Sequence, residues 1–402
     1  MFKKIIFSLI LAFISLTLII IGAEIVLRVL KGVPESPLAQ ITQDQNNTRF
    51  LFKPGEVLES NSSVEGEFNY TARINSHGYR GKEFPPEKQS GKLRIMMVGD
   101  SFTFGVGSQD HETFPALIEA GLIEKGLDVE VINAGIGHAS TVRHWDNLQK
   151  IHLRYQPDVV VLFFDLTDLV DDWRWERHAV WNGDGSGIKR FDLNFYWGKR
   201  NWWQTFVHSS ALAKYLQNKV VRTYRKLKLL GFKQYLSSAL SGERAKSVIT
   251  HMSQKVSDDE LMEYDGLLMM RGRERKELID KQWKRTTKYL IKIRDLLRDN
   301  GIQFVIAMYP HGIYAGPDQW NEGRQPWGFE QGKQFTDYYP FELMEDFCSR
   351  EDILFVNTLS GFLNAPHDQY FFNWDGHLTP KGNRIVAEQL LTNDRFLNLV
   401  VR

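Results

Sequence analysis

The chain has a single cysteine, Cys348, among its 402 residues. One cysteine excludes an intramolecular disulfide, and it also excludes a zinc site built from cysteines. The formal net charge is only +1, so the overall charge gives no support to nucleic-acid binding. We therefore expect no cofactor, no metal ion and no nucleic-acid partner.

The chain also lacks the glycine-rich loops that bind phosphate groups. Gly105 and Gly107 begin such a pattern, but Asp110 stands where a dinucleotide-binding fingerprint has its third glycine. No lysine followed by serine or threonine completes a P-loop there. This segment therefore does not predict a nucleotide site.

A long hydrophobic run occurs near the N-terminus, over residues 5–22. It is long enough to span a bilayer, and the preceding Lys3 and Lys4 favour a cytoplasmic N-terminus. A cleaved signal peptide is the alternative, but the residues around Ala23 are a poor match to a small-residue cleavage site. We expect an uncleaved membrane anchor over residues 1–30, with the rest of the chain outside the cytoplasm (periplasmic or extracellular).

Short apolar runs alternate with helical patterns in the rest of the chain. The runs predict strands at Leu93–Val98, Val129–Asn133, Val159–Phe164, Gln303–Met308 and Ile353–Val356. The helical patterns between them lie at Thr113–Lys125, His144–Tyr155, Lys281–Arg298 and Phe341–Arg350. Strands that alternate with helices indicate a parallel sheet covered on both faces. We predict a three-layer α/β/α domain with a mostly parallel five-stranded sheet over residues 91–402, after a linker and small β-rich lead-in over residues 31–90.

The stretch from about 172 to 275 departs from this alternation and is expected to be a large, mainly helical insertion. Its first third is rich in tryptophan, and residues 193–242 contain no Asp or Glu but nine Lys and Arg. Three interpretations stay open. The insertion lies on an anionic membrane surface, it binds a polysaccharide through its aromatic and basic side chains, or its tryptophans form a local core beside a solvated basic face.

A serine follows the first predicted strand at a sharp turn. Gly99, Asp100 and Ser101 end the strand, and a helical pattern begins soon afterwards, at Thr113. The Ser101 hydroxyl is thereby placed at the carboxyl end of a strand, near backbone N–H groups that have no partner. A serine there can attack a carbonyl carbon, and the N–H groups can hold the resulting oxyanion. An ordinary helix cap is the alternative.

An aspartate and a histidine lie close together near the C-terminus. Thr379 and Pro380 are typical of the first residues of a helix, so Asp375 and His377 occupy the loop before it. A serine nucleophile needs an imidazole base, and that imidazole needs a carboxylate to set its tautomer. We therefore predict Ser101 as nucleophile, His377 as base and Asp375 as the orienting carboxylate. A turn aspartate beside a solvated histidine is the alternative for this pair alone.

Together these motifs resemble those of the SGNH/GDSL hydrolase family. The matching segments occur in the family's order and are Gly99-Asp100-Ser101-Phe102, Asn133-Ala134-Gly135, Leu166-Thr167-Asp168 and Asp375-Gly376-His377. The segment from Asn75 to Gly81 is also similar to one that precedes the first block in membrane-anchored bacterial members. The resemblance implies a flavodoxin-like SGNH hydrolase fold and esterase or O-acyltransferase activity, often on acetylated carbohydrate.

Two positions depart from the pattern of the family. Thr167 stands where the family has an asparagine that donates to the oxyanion, and one residue rather than two separates Asp375 from His377, as in acyltransferase-like members. The resemblance implies the backbone N–H groups of Ser101 and Gly135 as oxyanion donors. We expect the Thr167 hydroxyl to be a third.

The sequence thus predicts a serine-dependent ester hydrolase or O-acyltransferase that acts on an acylated small molecule or polysaccharide outside the cytoplasm. The alternative is a non-catalytic protein of the same fold that binds glycans or assembles others at the membrane. The sequence does not identify any protein partner. Two histidines are weaker candidates. His138 could approach the substrate but is not assigned to the site. His311 could line the same sheet edge, but we expect it to be solvated. The acidic cluster is read as a helix-entry turn rather than a cation site and consists of Asp168, Asp171 and Asp172.

Overall fold

A computed structural model of the chain describes residues 15–26, 28, 42–44, 47–62, 66–192, 210, 212, 262 and 265–401. The chain divides into two compact units. The first contains Met1–Gln40 and Asp192–Ala245, and the second contains Ile41–Phe191 and Lys246–Arg402. The predicted anchor and part of the predicted insertion therefore belong to the same unit.

The described part of the first unit contains a helix, α1 (residues 15–26), whose large apolar side chains are mostly exposed. The Glu24 carboxylate of this helix accepts hydrogen bonds from the Ser210 hydroxyl at 2.8 Å and the Leu212 N–H at 2.9 Å. Among the described residues, no helix has both the length and the apolar character needed to cross a membrane. Most of the predicted hydrophobic run and of the insertion lies outside the described residues.

The second unit begins with two antiparallel strand pairs, β1–β2 and β3–β4, within the range predicted as a linker and lead-in. The strands in chain order are β1 (Thr42–Asp44), β2 (Asn47–Leu51), β3 (Val57–Asn61), β4 (Asn69–Arg73), β5 (Leu93–Gly99), β6 (Val129–Gly135), β7 (Val159–Phe164), β8 (Ala179–Trp181), β9 (Ile188–Phe191), β10 (Gln303–Met308) and β11 (Leu354–Asn357). The short β8 and β9 form an antiparallel pair at the start of the predicted insertion.

A parallel sheet in the order β11-β10-β7-β5-β6 forms the centre of the second unit. The central strand β7 is buried along its whole length, as its unbroken run of Val, Leu and Phe predicts for a strand covered on both faces. Val98 pairs with Leu162 and Gly99 pairs with Gly135, so these strands end at one edge of the sheet. The predicted five-stranded sheet is confirmed, with two strand ranges reproduced to the residue.

Helices connect the strands and cover the sheet. They are α2 (Ser101–Phe104), α3 (Phe114–Glu124), α4 (Thr141–Asn147), α5 (Asp168–Arg177), α6 (Lys276–Asp299), α7 (Gly312–Ala315), α8 (Tyr339–Arg350), α9 (Leu359–Asn364), α10 (Pro380–Leu391) and α11 (Asp394–Val400). Shorter 3₁₀ turns lie at Asp110–Glu112, Leu153–Tyr155, Leu268–Arg275 and Gln325–Trp327, and a π-helical turn continues α4 over Leu148–His152. The helix expected over His144–Tyr155 therefore begins three residues earlier and changes its hydrogen-bond pattern partway.

The order of the strands places these helices in two layers. Strands β6 and β7 lie on opposite sides of β5, so right-handed connections put α3 on one face and α4 on the other. In agreement, α3 packs on α10, whereas α6 packs on α4 and α5. The connections leave β5 and β7 in opposite directions, which opens a crevice at their carboxyl ends. Ser101 and Thr167 follow these two strands.

The lead-in supports the start of the sheet's first crossover through Arg80. Its guanidinium donates to the carbonyl oxygens of Phe104 at 2.9 Å, Gly105 at 2.8 Å and Ser108 at 2.6 Å, and to the Asp110 carboxylate at 2.8 Å. Burial lowers the pKa of Arg80, and the bond to Asp110 acts in the opposite direction. The side chain thus fixes the carbonyl groups at the end of α2, the helix that begins with Ser101.

Candidate active site

Ser101 is held at the end of β5 by a tight turn. The Asp100 carboxylate caps α2 by accepting the N–H of Phe102 at 2.8 Å. A Cβ atom on Gly99 would lie 2.0 Å from the Thr103 hydroxyl oxygen, so only glycine allows the chain to turn this closely. The Ser101 N–H is the first of the helix and has no acceptor within it. The serine therefore presents a hydroxyl and a backbone donor at the edge of the sheet.

Asp375 and His377 share a loop immediately before α10. The Thr379 hydroxyl caps α10 by accepting the Gly382 N–H at 3.2 Å, which confirms the predicted cap. Between the pair, Gly376 has φ +91°, and a Cβ atom there would lie 2.7 Å from the Trp320 indole nitrogen. Glycine is needed at this position for both its backbone conformation and its lack of a side chain.

A residue of the lead-in also holds this loop. The Glu67 carboxylate accepts the Trp374 N–H at 2.5 Å and the Asp375 N–H at 3.4 Å. Glu67 lies more than 300 residues earlier in the chain, and no local sequence signal pairs it with this loop.

The serine, histidine and aspartate predicted from the sequence come together at this edge. The Nε2 atom of His377 lies 2.8 Å from the Ser101 hydroxyl oxygen. Its Nδ1 atom is hydrogen-bonded to the Asp375 carboxylate, which also accepts the His377 N–H at 3.2 Å. In this geometry the carboxylate selects the tautomer with a proton on Nδ1 and leaves the Nε2 lone pair for the serine proton.

Opposing effects act on the charge of His377. Burial lowers its pKa, but the hydrogen bond and charge of Asp375, with the charges of Asp100 and Asp165, raise it above the usual value of 6.5. For Asp375, burial raises the pKa, and the hydrogen bond and charge of His377 outweigh this effect and lower it. The carboxylate therefore stays ionised and stabilises the imidazolium that forms when His377 takes a proton.

Two buried carboxyl groups that border the cavity have pKa values shifted in opposite directions. Burial and the charge of Asp165 raise the pKa of Asp100 to about 7, although its carboxyl accepts the Tyr309 hydroxyl at 3.0 Å. Burial also disfavours the charged form of Asp165, but the charge and hydrogen bond of His311 lower its pKa to about 2. The pKa values of the two carboxyl groups are thus shifted in opposite directions, and Asp165 ionises at the lower pH.

The predicted oxyanion donors are placed differently from one another. Ser101 and Thr167 both line the cavity that contains the triad, whereas Gly135 is not among its lining residues. The Gly135 N–H donates to the Asn133 side chain at 3.0 Å, and a Cβ atom at Gly135 would lie 2.1 Å from the Phe104 nitrogen. The expectation that Gly135 donates to the oxyanion is therefore wrong for this conformation, because its N–H points to Asn133 and it packs under α2.

Thr167 lies at the cavity but is engaged by its neighbour. Its N–H donates to the Asp165 carboxylate at 2.7 Å, and a hydrogen bond from its side chain contributes to the low pKa of that carboxylate. An acyl oxygen would have to compete with Asp165 for the Thr167 hydroxyl. The Thr167 hydroxyl, which the sequence predicts as a third oxyanion donor, therefore borders the cavity but also interacts with Asp165.

The cavity has a volume of about 300 Å³ and contains residues that the sequence did not assign to it. His311 borders the cavity and is only 6% exposed, so the expectation of a solvated histidine is wrong. His138, which the sequence left unassigned, also borders the cavity and adopts φ +58°. Trp320 and Trp327 add aromatic surface.

The acidic cluster expected to be a helix-entry turn does lie in the first turns of α5. Asp171 pairs with Arg174 at 3.0 Å, and Asp172 accepts the Thr286 hydroxyl at 2.7 Å and the Val142 N–H at 3.0 Å. These bonds connect α5 to α4 and α6, so Asp172 stabilises the packing of three helices.

Some solved structures are similar to this chain. The acetyl xylan esterase AlAXEase is 15% identical, with a TM-score of 0.36, over 74% of this chain and 98% of its own. An acetylxylan esterase of Geobacillus stearothermophilus, solved as a catalytic mutant, is 11% identical, with a TM-score of 0.36, over 77% and 94%. A protein of Desulfitobacterium hafniense, described as lipolytic and of the G-D-S-L family, is 10% identical, with a TM-score of 0.32, over 74% and 98%. No protein-family model and no curated protein matches the chain.

Identities and TM-scores this low do not bear on the substrate of this chain. The structure of the chain itself is more informative. A serine follows β5 of the parallel sheet, an Asp-x-His loop precedes α10, and the serine and the histidine lie within hydrogen-bond distance of each other. This topology and this order of residues agree with the resemblance of the sequence motifs to those of the SGNH/GDSL hydrolases.

Proposed function

We propose that the protein is a serine-dependent esterase. The observation that carries this proposal is a pair of hydrogen bonds: the Nδ1 atom of His377 is bonded to the Asp375 carboxylate, and its Nε2 atom is bonded to the Ser101 hydroxyl. Ser101 forms a bond to the ester's acyl carbon as His377 accepts its proton. The same proton then goes to the departing alcohol oxygen, and the acyl group remains on the serine.

The second half of the reaction returns the enzyme to its starting state. A hydroxyl compound attacks the acyl carbon while His377 accepts its proton, and the proton passes back to the Ser101 oxygen as that bond breaks. Water as the attacking group gives a carboxylic acid, and a sugar hydroxyl gives a new ester. O-acyl transfer to carbohydrate is the finer form of the proposal, and it is supported by the family resemblance of the sequence and by the aromatic and polar lining of the cavity.

A fluorophosphonate probe together with p-nitrophenyl esters of increasing acyl length tests this proposal. The wild-type chain should be labelled at Ser101 and should hydrolyse the acetate ester, and Ser101→Ala should lose both properties. Ser349→Ala is the matched control, because Ser349 is exposed on α8 outside the cavity. An unlabelled wild-type chain without turnover would instead favour the non-catalytic glycan-binding alternative, which the engaged Gly135 and Thr167 donors suit.

The location of the protein is a further part of the proposal. The apolar run over residues 5–22 and the exposed apolar side chains of α1 support a membrane anchor with the second unit outside the cytoplasm. Deletion of residues 1–30 should release the protein from membranes. A reporter fused after Arg402 should be active only outside the cytoplasm, and activity inside it would reverse the topology.

A further inference from the structure

A second aspartate–histidine pair lies beside the proposed triad and has no part in the steps above. His311 follows β10, and its Nε2 atom lies 2.9 Å from the carboxylate of Asp165, which follows β7. The Asp165 side chain is fully buried and the His311 side chain is 8% exposed. A buried carboxylate therefore fixes the orientation of a nearly buried imidazole.

The second nitrogen of this imidazole remains available. The hydrogen bond to Asp165 uses Nε2, and no group among the described residues is hydrogen-bonded to Nδ1. The ring borders the same cavity as Ser101 and His377. Both imidazoles also contact the phenyl ring of Phe102, with centroid distances of 5.0 Å for His311 and 4.6 Å for His377. A molecule bound at Ser101 therefore lies in a cavity that the His311 ring borders.

The chemistry of Nδ1 selects the group that it binds. Because Asp165 accepts from Nε2, a neutral His311 carries its proton on Nε2 and offers a lone pair at Nδ1, whereas a charged His311 donates from Nδ1. A hydroxyl group both donates and accepts, so it is a neutral partner that suits either state. The partially exposed Trp327 and buried Trp320 border the same cavity, and their apolar rings suit the carbon faces of a polyol or sugar.

We propose that His311, oriented by Asp165, binds a free hydroxyl of the alcohol part of the ester next to the bond that Ser101 attacks. This inference rests on the proposed esterase function and specifies its substrate class: an acyl ester of a polyhydroxylated alcohol, recognised through a hydroxyl that is not itself acylated. An ester with a plain hydrocarbon alcohol leaves Nδ1 without a partner.

Two small esters of similar size test the proposal directly. Glycerol monoacetate carries free hydroxyls beside the ester, and propyl acetate lacks them. The wild-type kcat/KM should be about tenfold higher for glycerol monoacetate, as expected for one hydrogen bond to a nearly buried group. The substitution His311→Gln should reduce this ratio to about one, whatever it does to the two separate rates, because the glutamine amide still reaches Asp165 but offers nothing at the Nδ1 position.

The controls separate binding from folding and from the proposed function. His367→Gln changes a histidine whose side chain is 87% exposed and should leave the preference unchanged. His311→Asn places an amide near the Nδ1 position and should retain part of the preference even where it lowers the melting temperature. Equal wild-type rates on the two esters, or an unchanged preference in His311→Gln, overturn the inference. A wild-type chain that hydrolyses neither ester and is not labelled at Ser101 instead overturns the esterase proposal.

Discussion

The two aspartate–histidine pairs at the edge of the sheet use the same side chains in different ways. In the Asp375–His377 pair the residues come from one loop, the side chains are 28% and 20% exposed, and both imidazole nitrogens have partners. In the Asp165–His311 pair the residues follow separate strands 146 positions apart, and one nitrogen is without a partner among the described residues. The carboxylate contacts Nδ1 in the first pair and Nε2 in the second.

This difference indicates how environment assigns a role to a histidine. His377 lies where its Nε2 atom contacts a nucleophile, and the charge of Asp375 supports the gain of a proton. The His311 side chain is more buried than that of His377, and no described nucleophile is hydrogen-bonded to its Nδ1 atom. We therefore expect the first pair to move a proton and the second to hold and orient.

The largest expected effect is the loss of kcat when Ser101 or His377 is replaced. Ser101→Ala and His377→Ala should each reduce kcat by about a thousandfold or more, because both belong to one proton-transfer unit. The double variant should lose little beyond either single one for the same reason. Steady-state rates on p-nitrophenyl acetate measure this, and near-wild-type turnover in Ser101→Ala would contradict the mechanism.

The pH dependence of kcat/KM should follow the protonation of His377 in the Asp375–His377 pair. His377 acts as a base only when neutral, so kcat/KM should fall by about tenfold per pH unit below its pKa. That pKa is raised above 6.5, chiefly by Asp375 acting against burial, so the acid limb should be centred above pH 6.5. In Asp375→Asn the residual activity should show a limb at lower pH. A wild-type profile that is flat from pH 5 to 8 would point to another base.

The Asp165–His311 pair should affect the free energy of unfolding more than the reaction rate. Because the pKa of Asp165 falls from 3.8 to about 2 on folding, its charge stabilises the folded chain above about pH 4. That contribution disappears as the pH falls through about 2. Asp165→Asn should therefore lower the free energy of unfolding by about 3 kcal/mol at pH 7, and the gap to wild type should narrow in acid.

Chemical denaturation at several pH values measures this difference. Asp299→Asn is the control, since its side chain is 69% exposed and should change stability by less than about 0.5 kcal/mol. A gap that stays constant from pH 7 to pH 2 would mean that Asp165 does not act through its charge.

The smallest effect is expected at Thr167, which borders the cavity and interacts with Asp165. Thr167→Val removes a hydroxyl that already interacts with Asp165, so kcat should fall by less than about tenfold rather than the hundredfold or more of a dedicated oxyanion donor. Thr167→Ser retains the hydroxyl and serves as the control. A hundredfold loss in Thr167→Val with unchanged KM would show that the threonine turns to the substrate during the reaction.

Sequence reasoning succeeded where the signal is local. Strands β7 and β10 were predicted to the residue, because a short and mainly apolar run is a strong strand signal. Thr379 and Pro380 likewise marked the start of α10 and so placed Asp375 and His377 in a loop. It was less accurate for α4, where the apolar periodicity does not reveal the change to a π-helical turn.

The sequence by itself determined the alternation of strands and helices, the serine turn after β5 and the Asp-x-His loop, because each depends on residues close together in the chain. Only the tertiary structure decided that His311 meets Asp165, that Glu67 holds the Asp375 loop, and that the Gly135 N–H points to Asn133. The first two depend on the packing of distant segments, and the third depends on how a side chain folds back under α2. The direction and partner of a polar group at the sheet edge follow from that packing, which apolar patterns along the chain do not record.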